Sequence, residues 1–438
     1  SGELSSGAVI VRGMRRTSSH CVRPAHHAQG IHTDGTRHAH QWAGRLSYRI
    51  LAVPLVTVLV ALGGLLVGNL RSKPADTACS ADRLLVVASG DIAEAVSTLA
   101  SRYAAGPGRG CTAIRVQARE PATVAVALAA GWDSVRYGLR PDVWIPDSSL
   151  WSRLLDAAPP DATRPDSGLG DVAARTGPPL AYSPLVLALP ARMVDALHWS
   201  QHPPSWADVL HVLGDDRGWA AFGHPEWGPI RLAVADPTRS TPALEALIAW
   251  TGATRGLGQE DYLPAAVVNQ PSVVSALRKL RSRVSRTGSD TVSLLQSLPR
   301  AGEADQSSAA VGHPSMFVMS EQEVWRYNQG KPAIPLTAVY PADGTPVSDH
   351  PYLLLHPGDA PAGSRAAAAG FLRFLREPDS QTWLVSQAFR SGLGTEGAPF
   401  VPANGLRPDG VTDLLPATGG ATLSRLTQVW NSMPLPAR

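Results

Sequence analysis

Small hydroxyl-bearing turns at the starts of helices are the residues of this chain best suited to chemistry. They occur at Ser89-Gly90, at Thr123, at residues 238–241 and at residues 315–320. Each turn stands where an apolar, strand-like segment gives way to helical spacing. Helix N-termini offer free N–H groups and a positive dipole end, which suits polar or anionic ligands. Any single turn is an ordinary helix cap, but their repetition in both halves of the chain predicts a binding cleft.

The sequence does not favour an enzyme. The motifs G-x-S-x-G, G-x-x-x-x-G-K-[ST], H-E-x-x-H and C-x-x-C do not occur. Histidines of the body, such as His313 and His350, show no metal-ligand spacing. Ser89 could act as a nucleophile, but the sequence assigns it no general base. We therefore expect no catalytic residues, no cofactor and no metal site.

An alternation of strands and helices positions these turns. Residues 84–88 form an apolar run typical of a strand that is buried on both faces. Asp91 and Glu94 resemble a capping box for the helix that follows. Further strands are predicted at 111–117 and 141–147, with a helix between them from Pro121. This βαβαβα order predicts an α/β fold with a parallel sheet.

Composition limits the function classes. The chain has 438 residues, 44% of them hydrophobic and 17% charged, with a formal net charge of +3. One large or two medium domains with real cores are expected. No block of Lys and Arg recurs along the body, and the basic helix at 273–284 is explained by a solvated helix face. We expect no nucleic-acid partner.

An uncharged apolar stretch runs from Ile50 to Leu70. As a helix it would be about 30 Å long, which matches the hydrocarbon core of a bilayer. Seven arginines and only two acidic residues precede it, which favours an N-terminus inside the cell. The stretch is longer than the apolar core of a cleaved signal peptide. We predict a disordered, basic, His-rich cytoplasmic tail at 1–49, a transmembrane signal anchor at 50–70 and an extracytoplasmic body.

Several segments together resemble the bacterial extracytoplasmic solute-binding proteins of the type II periplasmic-binding fold. They are LLVVASGD (84–91), RPDVWIPDSSLW (140–151), AYSPLVLAL (181–189), LAVADPTRST (232–241), VYPADGT (339–345), DHPY (349–352) and AFR (388–390). The chain looks most like the actinobacterial branch that often precedes a von Willebrand factor type A domain. No D-x-S-x-S metal motif of that domain is present, which suggests a shortened relative or a fragment of a longer protein.

The resemblance implies two lobes with a hinge cleft between them. Lobe one would comprise residues 80–182 and 342–437, and lobe two residues 183–341. The chain would cross between the lobes near 181–183 and again near 340–341, and the lobes would close on a ligand. The residues that the resemblance places at the cleft are Ser89, Gly90, Thr123, Asp147, Ser183, Thr238, Ser240, Thr241, Ser315 and Tyr340.

The cysteines leave two interpretations open. Cys79 and Cys111 could form a disulfide if the body is extracytoplasmic, or they could be two unrelated buried thiols. The resemblance to the actinobacterial branch favours the disulfide.

The expected function is capture of a small polar or anionic solute by a membrane-anchored binding protein, for transport or sensing. A permease of an ABC transporter is the expected protein partner for transport. The alternative is a surface interaction or scaffold protein that keeps the fold without transport, as part of a type A domain protein or on its own.

Overall fold

The computed structural model describes residues 83–106, 113–157, 177–257, 263–296, 298, 313–355, 362–392, 397–410, 413–415 and 418–434. Within these ranges no helix has the length and apolar character needed to cross a membrane. The predicted tail at 1–49, the predicted anchor at 50–70 and both Cys79 and Cys111 lie outside the described residues. The anchor and the disulfide therefore stay predictions.

The N-terminal part alternates strands and helices in the predicted order. Its elements are β1 (Arg83–Ala88), α1 (Ala93–Ala105), β2 (Ala113–Ala118), α2 (Pro121–Ala129), α3 (Ser134–Tyr137), β3 (Val143–Ile145) and α4 (Leu150–Asp156).

The middle part continues as a second α/β unit. Its elements are β4 (Ser183–Pro190), α5 (Ala191–Ala196), α6 (Trp206–Gly214), β5 (Leu232–Ala235), α7 (Thr241–Arg255), α8 (Ala265–Val268), α9 (Pro271–Ser282), β6 (Val284–Gly288), α10 (Thr291–Leu295), β7 (Met316–Ser320), α11 (Glu321–Gln329) and β8 (Leu336–Val339). The remaining elements are β9 (Val347–Ser348), β10 (Leu353–Leu354), α12 (Ala362–Leu375), α13 (Pro378–Ser386) and α14 (Gly420–Asn431).

Lobe one is built on a four-stranded sheet in the order β10-β3-β1-β2. The three strands of the N-terminal part are parallel, as the βαβαβα pattern predicts. The sheet as a whole is mixed, because β10 returns from far along the chain and pairs antiparallel with β3. Residues 84–88 of β1 are buried, as expected for a central strand covered on both faces.

Lobe two contains the larger sheet, in the order β6-β5-β7-β4-β8, with β9 paired to β4. Strands β5, β6 and β7 run parallel, whereas β4 is antiparallel to both β7 and β8. The two-lobed α/β fold is therefore present, with mixed rather than purely parallel sheets.

Within the described residues, the chain passes between the lobes three times. The first crossing, just before β4 at Ser183, lies where it was predicted. The second lies at 349–352, between β9 on the lobe-two sheet and β10 on the lobe-one sheet, and not at Tyr340-Pro341. The chain does not leave lobe two at Tyr340, because the Tyr340 side chain packs in the core of that lobe. A third crossing follows Phe389, a residue of the lobe-one core, where Arg390 pairs with Tyr182.

The C-terminal helix differs from the predicted lobe assignment. Helices α12 and α13 contribute Phe371 and Leu384 to the core of lobe one, as expected. Helix α14, by contrast, contributes Leu423, Leu426 and Trp430 to the core of lobe two, although residues up to 437 were assigned to lobe one. The lobe assignment differs because the buried apolar face of α14 packs against helices of lobe two.

Candidate functional site

A cleft of about 680 Å³ lies between the two lobes. Its walls are the loops that follow the carboxyl ends of parallel strands: those after β1, β2 and β3 in lobe one and after β5, β6 and β7 in lobe two. This edge of an α/β sheet is where ligands bind, because strand ends and helix N-termini meet there. The two sheets direct these edges towards one shared space.

Half of the predicted cleft residues line this space. Ser89 and Gly90 follow β1, Asp147 follows β3, and Ser240 and Thr241 begin α7. Ser240 is the N-cap of α7, its hydroxyl accepting from the Ala243 N–H at 3.5 Å, so that Thr241 is the first helical residue.

Three other predicted residues do not line the cleft. Thr123 is exposed on the first turn of α2 and donates to Glu120 Oε2 at 3.2 Å. Thr238 is exposed and donates to Asp236 Oδ1 at 2.7 Å. Ser183 is fully buried, and its hydroxyl accepts from the Gln322 N–H at 3.1 Å. Each hydroxyl is hydrogen-bonded to a group of the protein outside the cleft lining or at its own turn.

Ser315 and Tyr340 lie away from the cleft for a topological reason. Ser315 precedes β7, whereas the cleft lies beyond the carboxyl end of that strand at Ser320. Its buried hydroxyl accepts from Trp219 Nε1 at 3.1 Å. Tyr340 is buried, and its hydroxyl donates to the carboxylate of Glu321. Both residues stabilise the interior of lobe two.

A chain of hydrogen bonds joins Ser89, Asp91 and His350 at the floor of the cleft. The Ser89 hydroxyl donates to Asp91 Oδ1, and Asp91 Oδ2 lies 2.7 Å from His350 Nε2. Burial alone would raise the pKa of Asp91, but the charge and hydrogen bond of His350 lower it to about 2. The same carboxylate raises the pKa of His350 against the opposing effect of burial.

This order of residues is not that of a nucleophilic serine. In a Ser-His-Asp site the histidine takes the serine proton, whereas here Ser89 is bonded to a carboxylate with a pKa of about 2, which is a poor base. The other nitrogen of His350, Nδ1, lies 3.2 Å from the Ala181 carbonyl oxygen. The expected capping box at Asp91 and Glu94 is also wrong, since α1 has Ile92 as its N-cap and no side-chain cap.

His350 links the cleft to the hinge. It lies in the second crossing and contacts Ala181 of the first. Its backbone has a φ of 39°, in the left-handed region that costs a non-glycine residue free energy. The imidazole is fully buried against the ring of Phe389, with 5.0 Å between ring centroids. These contacts on all sides hold His350 in that conformation.

Three further carboxylates surround the floor of the cleft. Burial and the charge of Asp91 raise the pKa of Asp147 to about 7. Burial raises the pKa of Glu323 to about 6, against the lowering effect of the Ser320 N–H. Burial and the charge of Asp147 raise the pKa of Glu245 well above its ordinary value. The floor is therefore a region where negative charge is crowded and poorly solvated.

Two contacts join side chains of lobe two to groups of lobe one among the residues that line the cleft. Arg239 of lobe two donates from Nε and Nη2 to the two carboxylate oxygens of Glu120 in lobe one, at 2.8 Å and 2.7 Å. Arg326 of lobe two donates to the main-chain oxygens of Gly90, at 3.3 Å, and Asp91 of lobe one. We call these two contacts the interlobe clasp.

A buried ion pair lies behind the cleft at the third crossing. Arg390 donates from Nε and Nη2 to the two oxygens of Glu321, both at 2.7 Å, and both side chains are almost fully buried. Arg390 also donates to the carbonyl oxygens of Arg407 and Pro408. This pair joins α11 of lobe two to the segment that leaves lobe one.

Apart from Asp147, sequence reasoning missed the charged residues of the site. Arg119 and Glu120 follow β2 directly, and Asp290 follows β6, so their position after a strand end was a usable signal. His350 was part of the DHPY segment but was not chosen as a site residue. Arg326 lies within α11 and carries no local signal, because only the packing of the lobes brings it to the cleft.

Comparison with known proteins agrees with this architecture. The family described as "Bacterial extracellular solute-binding protein" matches residues 84–390, which include both sheets and most of the cleft. Two curated relatives from Mycobacterium tuberculosis, from strains CDC 1551 and H37Rv, are uncharacterized proteins that are 26% identical over 355 residues, 77% of this chain. The chain spans about half, 48%, of the length of each relative.

Solved structures share the fold. A periplasmic thiamin binding protein superimposes with a TM-score of 0.50 at 14% identity, covering 80% of this chain and 96% of its own. Iron-bound HitA from Pseudomonas aeruginosa superimposes with a TM-score of 0.50 at 16% identity, covering 80% of this chain and 97% of its own. At these identities the likeness concerns the fold.

Proposed function

The chain belongs to the bacterial extracellular solute-binding proteins, and from that membership we propose that it captures one small polar solute between its lobes and passes it to a membrane transporter. The cleft carries this proposal. Its volume of about 680 Å³ is typical of small-molecule sites, which have volumes of about 300–1,000 Å³. Both lobes contribute strand-end loops to it, so closure of the lobes encloses a solute.

The proposed location follows from the charge pattern around residues 50–70. Arginines precede this apolar stretch in excess over acids, which supports an N-terminus in the cytoplasm and a binding module outside the membrane. A binding module held there would meet the permease of an ABC transporter, which is the proposed partner. An oxidising environment would also permit the Cys79–Cys111 disulfide.

Thermal unfolding of the 438-residue chain in mild detergent tests the proposal. The chain is scanned against sugars, amino acids, amines, inorganic anions and metal ions. Because a ligand that binds only the folded state stabilises by RT ln(1 + [L]/Kd), one present at 100 times its Kd should add about 2.7 kcal/mol to the free energy of unfolding. Absence of a shift with every compound would contradict solute capture.

A second candidate function is favoured by the interlobe clasp. Glu120 and Arg239 join the two lobes through their own side chains. A scaffold protein that keeps the fold without transport would require such a contact of its own. The same scan separates the two functions, since a scaffold shows no solute-dependent shift while its partner protein is captured through the outer surface.

A further inference from the structure

Acidic side chains of the protein accept from main-chain N–H groups beside three of the helix N-termini at the cleft. Asp290 caps α10 and accepts from the Ser293 N–H at 2.8 Å. Glu323 accepts from the Ser320 N–H at 2.8 Å in the capping box of α11. Asp91 accepts from the Ile92 N–H at 2.9 Å before α1. At these three helix starts a carboxylate already stands where an anion would be attracted.

The guanidinium groups of the cleft are also engaged. Arg239 is bound by Glu120, and Arg326 donates to main-chain oxygens of Gly90 and Asp91. Arg119 donates to the Tyr137 carbonyl oxygen at 2.7 Å. Carboxylates outnumber guanidinium groups along the cleft, five to three. An anionic solute would therefore meet net negative charge.

The carboxylates at the centre have few partners. Asp147 accepts from Trp151 Nε1 at 3.0 Å, an N–H that also donates to Thr241 at 2.7 Å. Glu245 is 1% exposed, and it stands one turn after Thr241 on the face of α7 that borders the cleft. One of its oxygens accepts from Ser348, a cleft residue, at 3.1 Å, and the other, Oε2, is buried without a hydrogen-bond partner.

We propose that the solute carries a positive charge, in the form of a protonated amine or a related organic cation, and that Asp147 and Glu323 bind it at the floor of the cleft. The inference rests on the proposed solute-binding function and narrows its ligand class. Both carboxylates line the cleft, and neither has an ion-pair partner among the described side chains. A cation placed between them supplies the charge and the N–H donors that this floor lacks.

An organic cation fits better than a bare metal ion. Within the described ranges, no group of three or more His, Cys, Asp or Glu side chains is arranged to hold a metal. The walls above the carboxylates carry apolar surface from Pro121, Val292 and Leu295. A solute with a charged end and a carbon chain can contact both parts of the cleft.

Binding of such a solute should depend on pH. Because the pKa of Asp147 is raised to about 7 and that of Glu323 to about 6, both are partly protonated under mildly acidic conditions. Cation affinity should therefore increase from pH 5.5 to pH 8 as these groups ionise. Besides each other, the charged or titratable groups that act on them are Asp91, Glu245, Arg326 and His350.

Three four-carbon probes that differ only in their ends test the inference with the full chain. They are 1,4-diaminobutane, 1,4-butanediol and succinate, each titrated by calorimetry at constant ionic strength. We expect binding of the diamine and a weaker or absent signal for the diol and the diacid. Asp147→Asn or Glu323→Gln should weaken diamine binding about tenfold or more, because each removes one charge-assisted contact. Glu94→Gln, the same kind of change at an exposed position of α1, should leave diamine binding unchanged.

The other outcomes separate the inference from the function on which it rests. Tighter binding of succinate, or binding of an anion or a sugar from the broader scan without any binding of the diamine, would overturn the cationic ligand and leave solute capture standing. No binding of any compound would overturn both. Diamine binding that Asp147→Asn and Glu323→Gln leave unchanged would overturn the assignment to these carboxylates.

Discussion

At the scale of single residues, the buried ions have two different roles. Glu321 and Arg390 neutralise each other through two parallel hydrogen bonds and stabilise the third crossing. Burial, together with the charge of Asp91, raises the pKa values of Asp147 and Glu323. Groups whose charge is not satisfied within the fold are the ones available to a ligand, since structural ions already have their partners.

Arg390→Ala should destabilise the protein strongly. The substitution leaves the Glu321 carboxylate buried without its cation, which costs about 3–5 kcal/mol. The free energy of unfolding from urea titration measures the effect. Arg217→Ala is the matched control, because Arg217 pairs with Asp215 while its side chain is 72% exposed, and it should change the free energy of unfolding little. Equal effects of the two substitutions would contradict a structural role for the buried pair.

At the scale of elements, the cleft is formed where strands end and helices begin. Ser89, Glu120, Asp147, Ser240 and Thr291 all lie within a few residues after a strand or before a helix. The periodicity of the sequence located most of these junctions, because the signals for a strand end and a helix start come from neighbouring residues. The buried run of β1 and the capping box of α11 are two examples. Periodicity did not distinguish junctions at the carboxyl ends of strands, which border the cleft, from junctions at the amino ends. Ser315 is an example, since it lies before β7.

Arg239→Glu should weaken closure of the lobes. It places a carboxylate opposite Glu120 and replaces two hydrogen bonds with repulsion. Small-angle scattering of the protein should show a larger radius of gyration, while global stability changes by under about 1 kcal/mol because the pair is partly exposed.

The double variant Glu120→Arg, Arg239→Glu restores opposite charges and should restore the compact form. Arg217→Glu, far from the cleft in an exposed pair, is the control for the charge change alone. A scattering curve of Arg239→Glu identical to that of the unaltered protein would show that this contact does not hold the lobes.

At the scale of the whole molecule, the C-terminal helix α14 joins parts that the sequence places far apart. Trp430 is fully buried and stacks on Trp250 of α7, with 6.5 Å between ring centroids. At the start of the helix, a Cβ on Gly420 would lie 1.9 Å from the Arg153 carbonyl oxygen of α4. Glycine is therefore needed for α14 to approach lobe one while its apolar face completes lobe two.

Trp430→Ala should cost about 3–5 kcal/mol of unfolding free energy, as expected for removal of a large buried aromatic side chain. Calorimetric unfolding measures this loss. Val135→Ala, at a position that is 98% exposed, should change the stability by under about 0.5 kcal/mol. A loss for Trp430→Ala as small as that of the control would contradict the placement of α14 in the lobe-two core.

Local patterns of the sequence by themselves determined the α/β class and the parallel core of lobe one, because strand burial and helix capping depend on nearby residues. The first crossing and the placement of five residues at the cleft were expected from the resemblance of several segments to a family. The tertiary structure alone decided the charge of the cleft and its closure. Asp91 and His350 are 259 positions apart, and Glu120 and Arg239 are 119 apart. Such partners carry no local pattern, since their energies exist only after the lobes pack and water is removed from between them.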